Sequence, residues 1–174
     1  MTKPRRLWKL IAALSMLACS AVAASAQTVL EGPALARVVP PGFYYAGQSA
    51  PTQARNSTAA LFGKRQHALA GMVDTSGYAA DIRAVYEGFF ITDGRVSVGT
   101  GALPTGAYGF GFTETGEFNV FDISGQKLMS VQTTNDPQLA RPRPLMMVKQ
   151  GDGVRLYSGR RYVFITTTPP EVEL

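Results

Sequence analysis

The sequence predicts an all-β fold, a single antiparallel β-barrel or β-sandwich of about nine or ten short strands with little helix. Turn dipeptides recur at roughly ten-residue intervals, at Asp93-Gly94, Thr105-Gly106, Thr115-Gly116 and Ser124-Gly125. The segments between them alternate apolar and polar side chains, as strands with one buried face do. Both observations favour strands over helices.

The first 26 residues have the layout of a secretory signal. A basic start is followed by an apolar run. Ala24, Ser25 and Ala26 then form the small-residue site that a signal peptidase cleaves before Gln27. The sequence therefore predicts an exported protein, periplasmic or secreted.

The only cysteine, Cys19, lies inside this predicted signal. The alternative to cleavage after Ala26 is a lipoprotein anchored through Cys19, although bulky Leu17 stands where such sites usually have a small residue. With the signal removed, no cysteine remains for a disulfide, a thiol nucleophile or a metal ligand.

The composition of the remaining chain excludes two classes of partner. Removal of 26 of the 174 residues leaves 148, enough for one domain with its own core. Four of the 17 lysines and arginines belong to the signal, so 13 basic side chains face 12 acidic ones. This balance predicts no nucleic-acid binding. No second stretch has the roughly 18 consecutive apolar residues of a membrane-spanning helix.

The mature chain divides into three parts. Residues 27–40 are mixed in polarity and lead to Pro40 and Pro41, which predicts a flexible or extended lead-in. Residues 41–168 hold the strand and turn signals and form the predicted all-β domain. Residues 169–174 begin with a proline pair and are predicted to be a loose C-terminal tail.

The clearest single turn is Asp93-Gly94. Both residues accept the positive φ of a type I′ turn, so the pair predicts a tight hairpin between the strands on either side. Before it, residues 81–90 carry apolar side chains mainly at even positions, which predicts one half-buried strand.

Residues 107–112 predict an unusual strand. Tyr108, Phe110 and Phe112 share one face, whereas the two glycines between them leave the other face bare. Glycine inside a strand weakens it, so the bare face predicts a close neighbour or a bend. Residues 117–123 are apolar on both faces, which predicts a bulge or burial on both sides.

Helix is scarce in the predicted structure. The one helical turn covers residues 135–141, with Asp136 as N-cap and Pro137 at the first helical position. Residues 53–61 are assigned to strand or loop. Further strands are predicted at residues 129–131, 145–148, 154–156 and 162–165.

The sequence contains no recognisable catalytic constellation. His67 is the only histidine and is predicted to have a solvated or hydrogen-bonded structural role. A Ser-His-Asp triad built on His67 would lack the G-x-S-x-G turn that often accompanies one. One histidine without cysteines does not supply the usual zinc ligands. We therefore predict no catalytic residue, no metal site and no cofactor, and a protein that is not an enzyme.

Two groups of residues are candidates for ligand binding. Arg141 and Arg143 alternate with prolines on a stiff segment that suits a carboxylate or phosphate; the alternative is a solvated loop whose charges protect a sheet edge. Clustered aromatic side chains can line a cavity, and the alternative is a core. The candidates are Tyr44, Tyr86, Tyr108, Phe110, Arg141 and Arg143.

Residues 96–108 resemble a recurrent piece of exported bacterial β-domains, including uncharacterised secreted families found in acidobacteria. In these domains a strand with the pattern I-G-G-x-x-L-P-x-G-x-Y turns into an aromatic strand. The matching positions are Gly99, Leu103, Pro104, Gly106 and Tyr108, with Thr100 in place of the second glycine. The resemblance implies a β fold and a turn that delivers Tyr108 to the core, and it implies no catalytic residue.

Three functions are compatible with these features. The one we favour is a non-enzymatic interaction or structural module that contacts an unknown partner through a sheet face or edge. The alternative is a binder of a small apolar or sugar-like ligand inside a β-barrel, which has room for one such ligand. The least favoured is a cofactor-free hydrolase or isomerase.

Overall fold

The computed structural model describes residues 27–167, with 60% strand and 8% helix. The predicted signal, including Ala24, Ala26 and Cys19, and the predicted tail lie outside the described residues. No helix within residues 27–167 is long and apolar enough to cross a bilayer. In chain order the elements are β1 (Gln27–Leu30), α1 (Gly32–Val38), β2 (Gly42–Tyr45), β3 (Gln48–Phe62), β4 (Gln66–Val73), α2 (Ala80–Arg83), β5 (Gly88–Thr92), β6 (Val96–Val98), β7 (Gly101–Leu103), β8 (Gly106–Phe112), β9 (Glu117–Phe121), β10 (Lys127–Gln132), β11 (Thr134–Asn135), β12 (Arg143–Gln150), β13 (Gly153–Gly159) and β14 (Arg161–Thr167).

Two antiparallel sheets form the fold. The eight-stranded large sheet has the order β1-β3-β4-β5-β8-β9-β10, with β2 also paired to β3. The six-stranded small sheet has the order β12-β13-β14-β6-β7, with β11 also paired to β14. Neither sheet closes on itself, so the fold is a sandwich, one of the two predicted architectures.

The space between the sheets holds the main hydrophobic core. β8 contributes Tyr108, Phe110 and Phe112 from one face, because side chains two apart on a strand point the same way. The small sheet contributes Leu156 and Ile165, both fully buried. The aromatic strand thus fills this core, which is the alternative that the sequence left open beside a ligand cavity.

The opposite face of the seven strands from β1 to β10 in the large sheet is also buried, by a layer made of α1, α2 and β2, the strand that pairs only with β3. Phe43 of β2 stacks on Phe89 with 5.3 Å between ring centroids, and Tyr45 stacks on Tyr86 at 3.8 Å. The large sheet is therefore the middle of three layers.

The predicted bare face of β8 is confirmed, because this outer layer comes close to its glycines. A Cβ atom on Gly109 would lie 2.5 Å from Cε2 of Tyr45, and one on Gly111 would collide with the carbonyl oxygen of Val85. Burial on both sides of β9 is confirmed as well, since Phe118 belongs to the inner core and Phe121 to the outer layer.

The hairpin predicted at Asp93-Gly94 is wrong, because the chain at this point crosses between the sheets. β5 pairs with β4 and β8, whereas β6 pairs with β14 and β7. Neither Asp93 nor Gly94 is among the residues with positive φ, so the turn is not type I′. Instead, the Asp93 carboxylate accepts a hydrogen bond from the His67 backbone N–H at 2.5 Å and lies 2.8 Å from His67 Nδ1. These contacts tie the crossover to β4 and give His67 the predicted hydrogen-bonded position.

Residues 81–90 form a short helix and a strand instead of one strand. After α2, the Tyr86 N–H donates to the Ile82 carbonyl at 2.9 Å, and β5 begins only at Gly88. Ile82 and Tyr86 are four residues apart, a spacing that places side chains on one face of a helix as well as of a strand. The apolar pattern was therefore ambiguous.

Residues 27–40 hold a strand and a helix, where the sequence predicted a flexible or extended lead-in. β1 pairs with the end of β3, from Gln27 opposite Phe62 to Leu30 opposite Ala59. α1 has proline in its first turn, where no backbone N–H is required. The proline pair that suggested a lead-in follows the helix, as prolines often do.

Residues 135–141 contain a hydrogen-bonded turn that Asp136 caps as predicted, but no helix. The Asp136 carboxylate accepts a hydrogen bond from the Gln138 N–H at 3.1 Å, and Leu139 N–H donates to the Asp136 carbonyl at 3.4 Å. Residues 53–61 lie within β3, as the strand alternative predicted. The described residues contain fourteen strands instead of nine or ten, because short strands such as β7 and β11 show no alternation.

The segment that resembles exported β-domains forms a tyrosine corner, a turn in which a tyrosine hydroxyl bonds to backbone a few residues upstream. The Tyr108 hydroxyl donates to the Pro104 carbonyl at 2.9 Å. Gly106 lies under the ring, since a Cβ atom there would be 2.7 Å from the hydroxyl oxygen. The turn directs β8 from the edge of the fold into the core.

We expect Tyr108→Phe to lower the free energy of unfolding by about 1 kcal/mol, because it removes this hydrogen bond while keeping the ring. Urea denaturation measures the change. Tyr44→Phe is the matched control, since Tyr44 is 53% exposed. Equal stability of the two variants would show that the corner does not stabilise the turn.

We expect Gly111→Ala to lower the free energy of unfolding by about 3 kcal/mol or more, because the new methyl group meets the Val85 backbone. Gly77→Ala is the control, since its added methyl would meet its nearest neighbour at 3.6 Å. Urea denaturation of both variants measures the difference. Equal stabilities of the two variants would contradict the close approach of the outer layer to Gly111.

Candidate functional site

The predicted aromatic candidates do not meet at one site. Tyr86 is buried in the outer layer, whereas Tyr108 and Phe110 lie in the core on the other side of the large sheet. Tyr44 is 53% exposed on β2. No shared cavity is therefore lined by these four side chains. The two predicted arginines are exposed: Arg143 is the first residue of β12, and Arg141 precedes the strand.

One groove among the described residues brings a predicted binding residue together with new ones. It runs between α1, the middle of β3 and the start of β12, and we call it the α1 groove. It consists of two adjoining depressions of about 290 Å³ and about 420 Å³, which share Gly32, Leu35 and Ala54. Arg143 lines the larger depression, whereas Arg141 does not.

Two irregularities in the strands shape this groove. β3 advances from Thr52 to Ser57 while β4 moves only from Val73 to Gly71, so residues 53–56 bulge out of the ladder. The bulge is held by a hydrogen bond from the Ser57 hydroxyl to the Gln53 carbonyl at 3.1 Å. β12 shifts register between Arg143 and Met146. Bulges change the direction in which side chains point. Arg55 and Arg143, which lie at these two irregularities, line the same groove.

The larger depression is the polar half of the α1 groove. Its charged lining residues are Arg55, Arg143 and Glu31, which together carry one net positive charge. Neither arginine is in an ion pair with another described residue: within residues 27–167, the ion pairs join His67 to Asp93 and Arg155 to Asp136. The two guanidinium groups are therefore available to an external anion.

The smaller depression is the apolar half. Its lining is mainly aliphatic and comes from Leu35, Ala36, Val39, Pro40 and Pro41. The groove thus changes from charged to apolar along its length, and Leu35 and Ala54 contribute to both halves.

The tyrosines of the outer layer are held in the neutral form. Burial, with a smaller contribution from the Asp122 charge, raises the pKa of Tyr45 to about 12. Burial also raises the pKa of Tyr78 and of Tyr86. All three hydroxyls therefore stay neutral at ordinary pH, and the Tyr78 hydroxyl donates to the Gln48 carbonyl at 3.2 Å.

Glu87 is the acidic residue whose environment departs most from water. Burial raises the pKa of its carboxyl group, while the Phe112 N–H, which donates to it at 3.0 Å, and the nearby Arg161 oppose this rise. The Arg161 guanidinium also donates to the Thr113 carbonyl. Glu87 and Arg161 thus connect β5, β8 and β14, and neither lines the α1 groove.

Metal chemistry finds no support in the part of the chain that is described. No group of three or more histidine, cysteine, aspartate or glutamate side chains comes together there as a ligand set. The α1 groove contains hydroxyl groups at Thr52, Ser57 and Thr58. The Thr52 hydroxyl is buried without a hydrogen-bond partner, whereas the other two are engaged. Ser57 bonds within the bulge, and Thr58 Oγ1 accepts a hydrogen bond from the Met147 N–H at 3.1 Å.

Comparison with known proteins identifies no relative, since no family model, curated protein or solved structure matches this chain. The resemblance of residues 96–108 to exported β-domains stays a prediction. The function of the α1 groove has to be inferred from its own shape and charge.

The raised pKa of Glu87 predicts a pH-dependent stability. Between its ordinary value of 4.5 and the raised value, the folded state holds a proton that the unfolded state has released, so this residue's contribution to stability falls as pH rises through that window. Glu87→Gln has no charge to bury, and its amide oxygen still accepts from Phe112. We expect the variant to gain stability relative to the parent as pH rises from acid to neutral.

Urea denaturation across this pH range measures the effect. Glu114→Gln is the matched control, because Glu114 is exposed. A constant difference in stability between Glu87→Gln and the parent at all pH values would mean that the Glu87 carboxyl is not desolvated.

Proposed function

We propose that this protein is an exported, non-enzymatic binding module whose α1 groove holds a small amphiphile with one negative charge. The observation that carries the proposal is the pair Arg55 and Arg143, which line one depression without an ion-pair partner among the described residues. The apolar half directly beside it fits an apolar ligand body.

The charged half favours a carboxylate as the ligand head. Guanidinium groups present several N–H donors in a plane that matches the two oxygens of a carboxylate. Glu31 lies in the same lining and lowers the net charge to plus one. A single negative charge neutralises the site, whereas a phosphate dianion would leave an excess.

The apolar half favours an alkyl chain as the ligand body. Its lining consists of aliphatic side chains and prolines and offers few polar partners to a sugar or a peptide backbone. Each methylene group that leaves water contributes about 0.8 kcal/mol, or roughly a fourfold gain in affinity. Chain length should therefore control affinity.

The lining supports binding without catalysis. It contains no histidine, and the Ser57 and Thr58 hydroxyls bond to the protein itself. The Thr52 hydroxyl has no hydrogen bond, and the depression that it lines contains no histidine or carboxylate to act as its base. A nucleophile would need an adjacent base that takes its proton. A hydrolase or isomerase is thus the least favoured function for this groove.

A protein-contacting surface is the function we favoured from sequence alone, and the structure offers it less support than it offers the groove. The exposed large apolar side chains are distributed over three strands and two loops, and single exposed apolar residues are normal on a monomer. They are Tyr44, Val85, Ile123, Leu128 and Val148.

Calorimetric titration with decanoate, below its micelle-forming concentration, tests the proposal. We expect decanoate to bind and decyltrimethylammonium, which has the same chain and the opposite charge, to bind far more weakly. Arg55→Ala and Arg143→Ala should each raise the Kd for decanoate about tenfold. Arg83→Ala is the control, since Arg83 is exposed on α2 and does not line the groove.

A second variant separates the two halves. Ala36→Asp places a charge in the apolar half and should weaken decanoate binding while leaving the arginine pair in place. The proposal is wrong if both detergents bind equally, or if decanoate binds the arginine variants as tightly as the parent.

A further inference from the structure

Gln27, the first residue of β1, carries a buried side-chain amide without a partner. The residue is 3% exposed, and its Nε2 donor has no hydrogen bond. Gln27 lies opposite Phe62 in the ladder with β3, and residues directly opposite each other point to the same side of a sheet. Phe62 belongs to the core between the sheets, so the Gln27 amide lies beside apolar side chains. A buried donor left unsatisfied is destabilising.

We propose that Gln27 is a modification site and cyclises to pyroglutamate once it becomes the first residue of the chain. The inference rests on the export and signal cleavage included in the proposed function. Cleavage after Ala26 frees the α-amino group of Gln27, which in its neutral form attacks the side-chain carbonyl carbon Cδ. The new N–Cδ bond closes a five-membered lactam, the Cδ–Nε2 bond breaks, and Nε2 leaves as ammonia. No electrons are exchanged and no co-reactant is consumed.

The position of Gln27 favours the lactam over the free amine. An uncyclised terminus would place an α-ammonium charge on a residue that is 3% exposed and sits in a strand ladder. Cyclisation removes this charge and the unsatisfied Nε2 donor in one step, and it leaves a neutral N–H and a carbonyl group.

The test is the intact mass of the protein exported by cells that process its signal, with the N-terminal peptide sequenced by tandem mass spectrometry. We expect a chain that begins at residue 27 and is lighter than the glutamine form by one ammonia. Gln27→Glu is the matched control, because it has the same length but no amide to lose. We expect its mass to equal that calculated for the uncyclised glutamate chain.

The possible outcomes separate this inference from the proposed function. An intact N-terminal glutamine overturns cyclisation and leaves export and groove binding standing. An uncleaved chain, or one cut at another residue, overturns both the cyclisation and the predicted cleavage. Decanoate binding tests the groove independently of either result.

Thermal unfolding provides a second readout, because it measures whether the lactam stabilises the fold and not only whether it forms. A fusion protein cleaved directly before Gln27 yields the open form, which can be compared with the same sample after cyclisation. We expect the lactam to raise the Tm by roughly 3–5 °C, the effect of relieving one buried unsatisfied group. An unchanged or lower Tm would overturn the claim that burial of Gln27 favours the lactam.

Discussion

The fold depends on the close approach of a second layer to the middle of the large sheet. Side chains at positions 109 and 111 of β8 would collide with the Tyr45 ring and the Val85 backbone. The two glycines at these positions therefore allow the layer to pack. Through this contact the large sheet is buried on both faces, and the same contact fixes the positions of β2 and α2. α1 belongs to the same layer. The groove beside α1 exists because the chain between β1 and β2 packs against the outer face of the large sheet.

Local patterns predicted the structure wherever the cause was local. The alternation of aromatic residues and glycines in β8 requires only the strand period, and both of its consequences were confirmed. The hairpin prediction at Asp93-Gly94 was wrong for the opposite reason. The dipeptide is compatible with a hairpin, but the direction of the chain there is set by hydrogen bonds to His67, 26 residues earlier. The spacing of Ile82 and Tyr86 was ambiguous, because residues four apart lie on one face of a helix and also on one face of a strand.

The binding residues could be predicted only in part. Arg143 stood out because prolines stiffen its surroundings, whereas Arg55 carried no signal beyond a polar stretch inside a segment predicted to be strand or loop. The two meet because β3 and β12 pack together, as the hydrogen bond between Met147 and Thr58, 89 residues apart, shows. Tyr86 and Tyr108 were grouped by residue type, but the large sheet lies between them. Such pairings depend on topology, which no short pattern contains.

The position of β1 has a consequence for the order of events during biogenesis. The first ladder residue, Gln27, directly follows the predicted cleavage site, so no spacer separates the peptidase substrate from the sheet. Proteases act on accessible chain, and strand pairing removes this accessibility. In an exported chain, cleavage and the pairing of β1 with β3 therefore compete in time. Under the proposed export, Gln27 would leave the membrane before its ladder partner Phe62, so the peptidase would act before β1 pairs with β3.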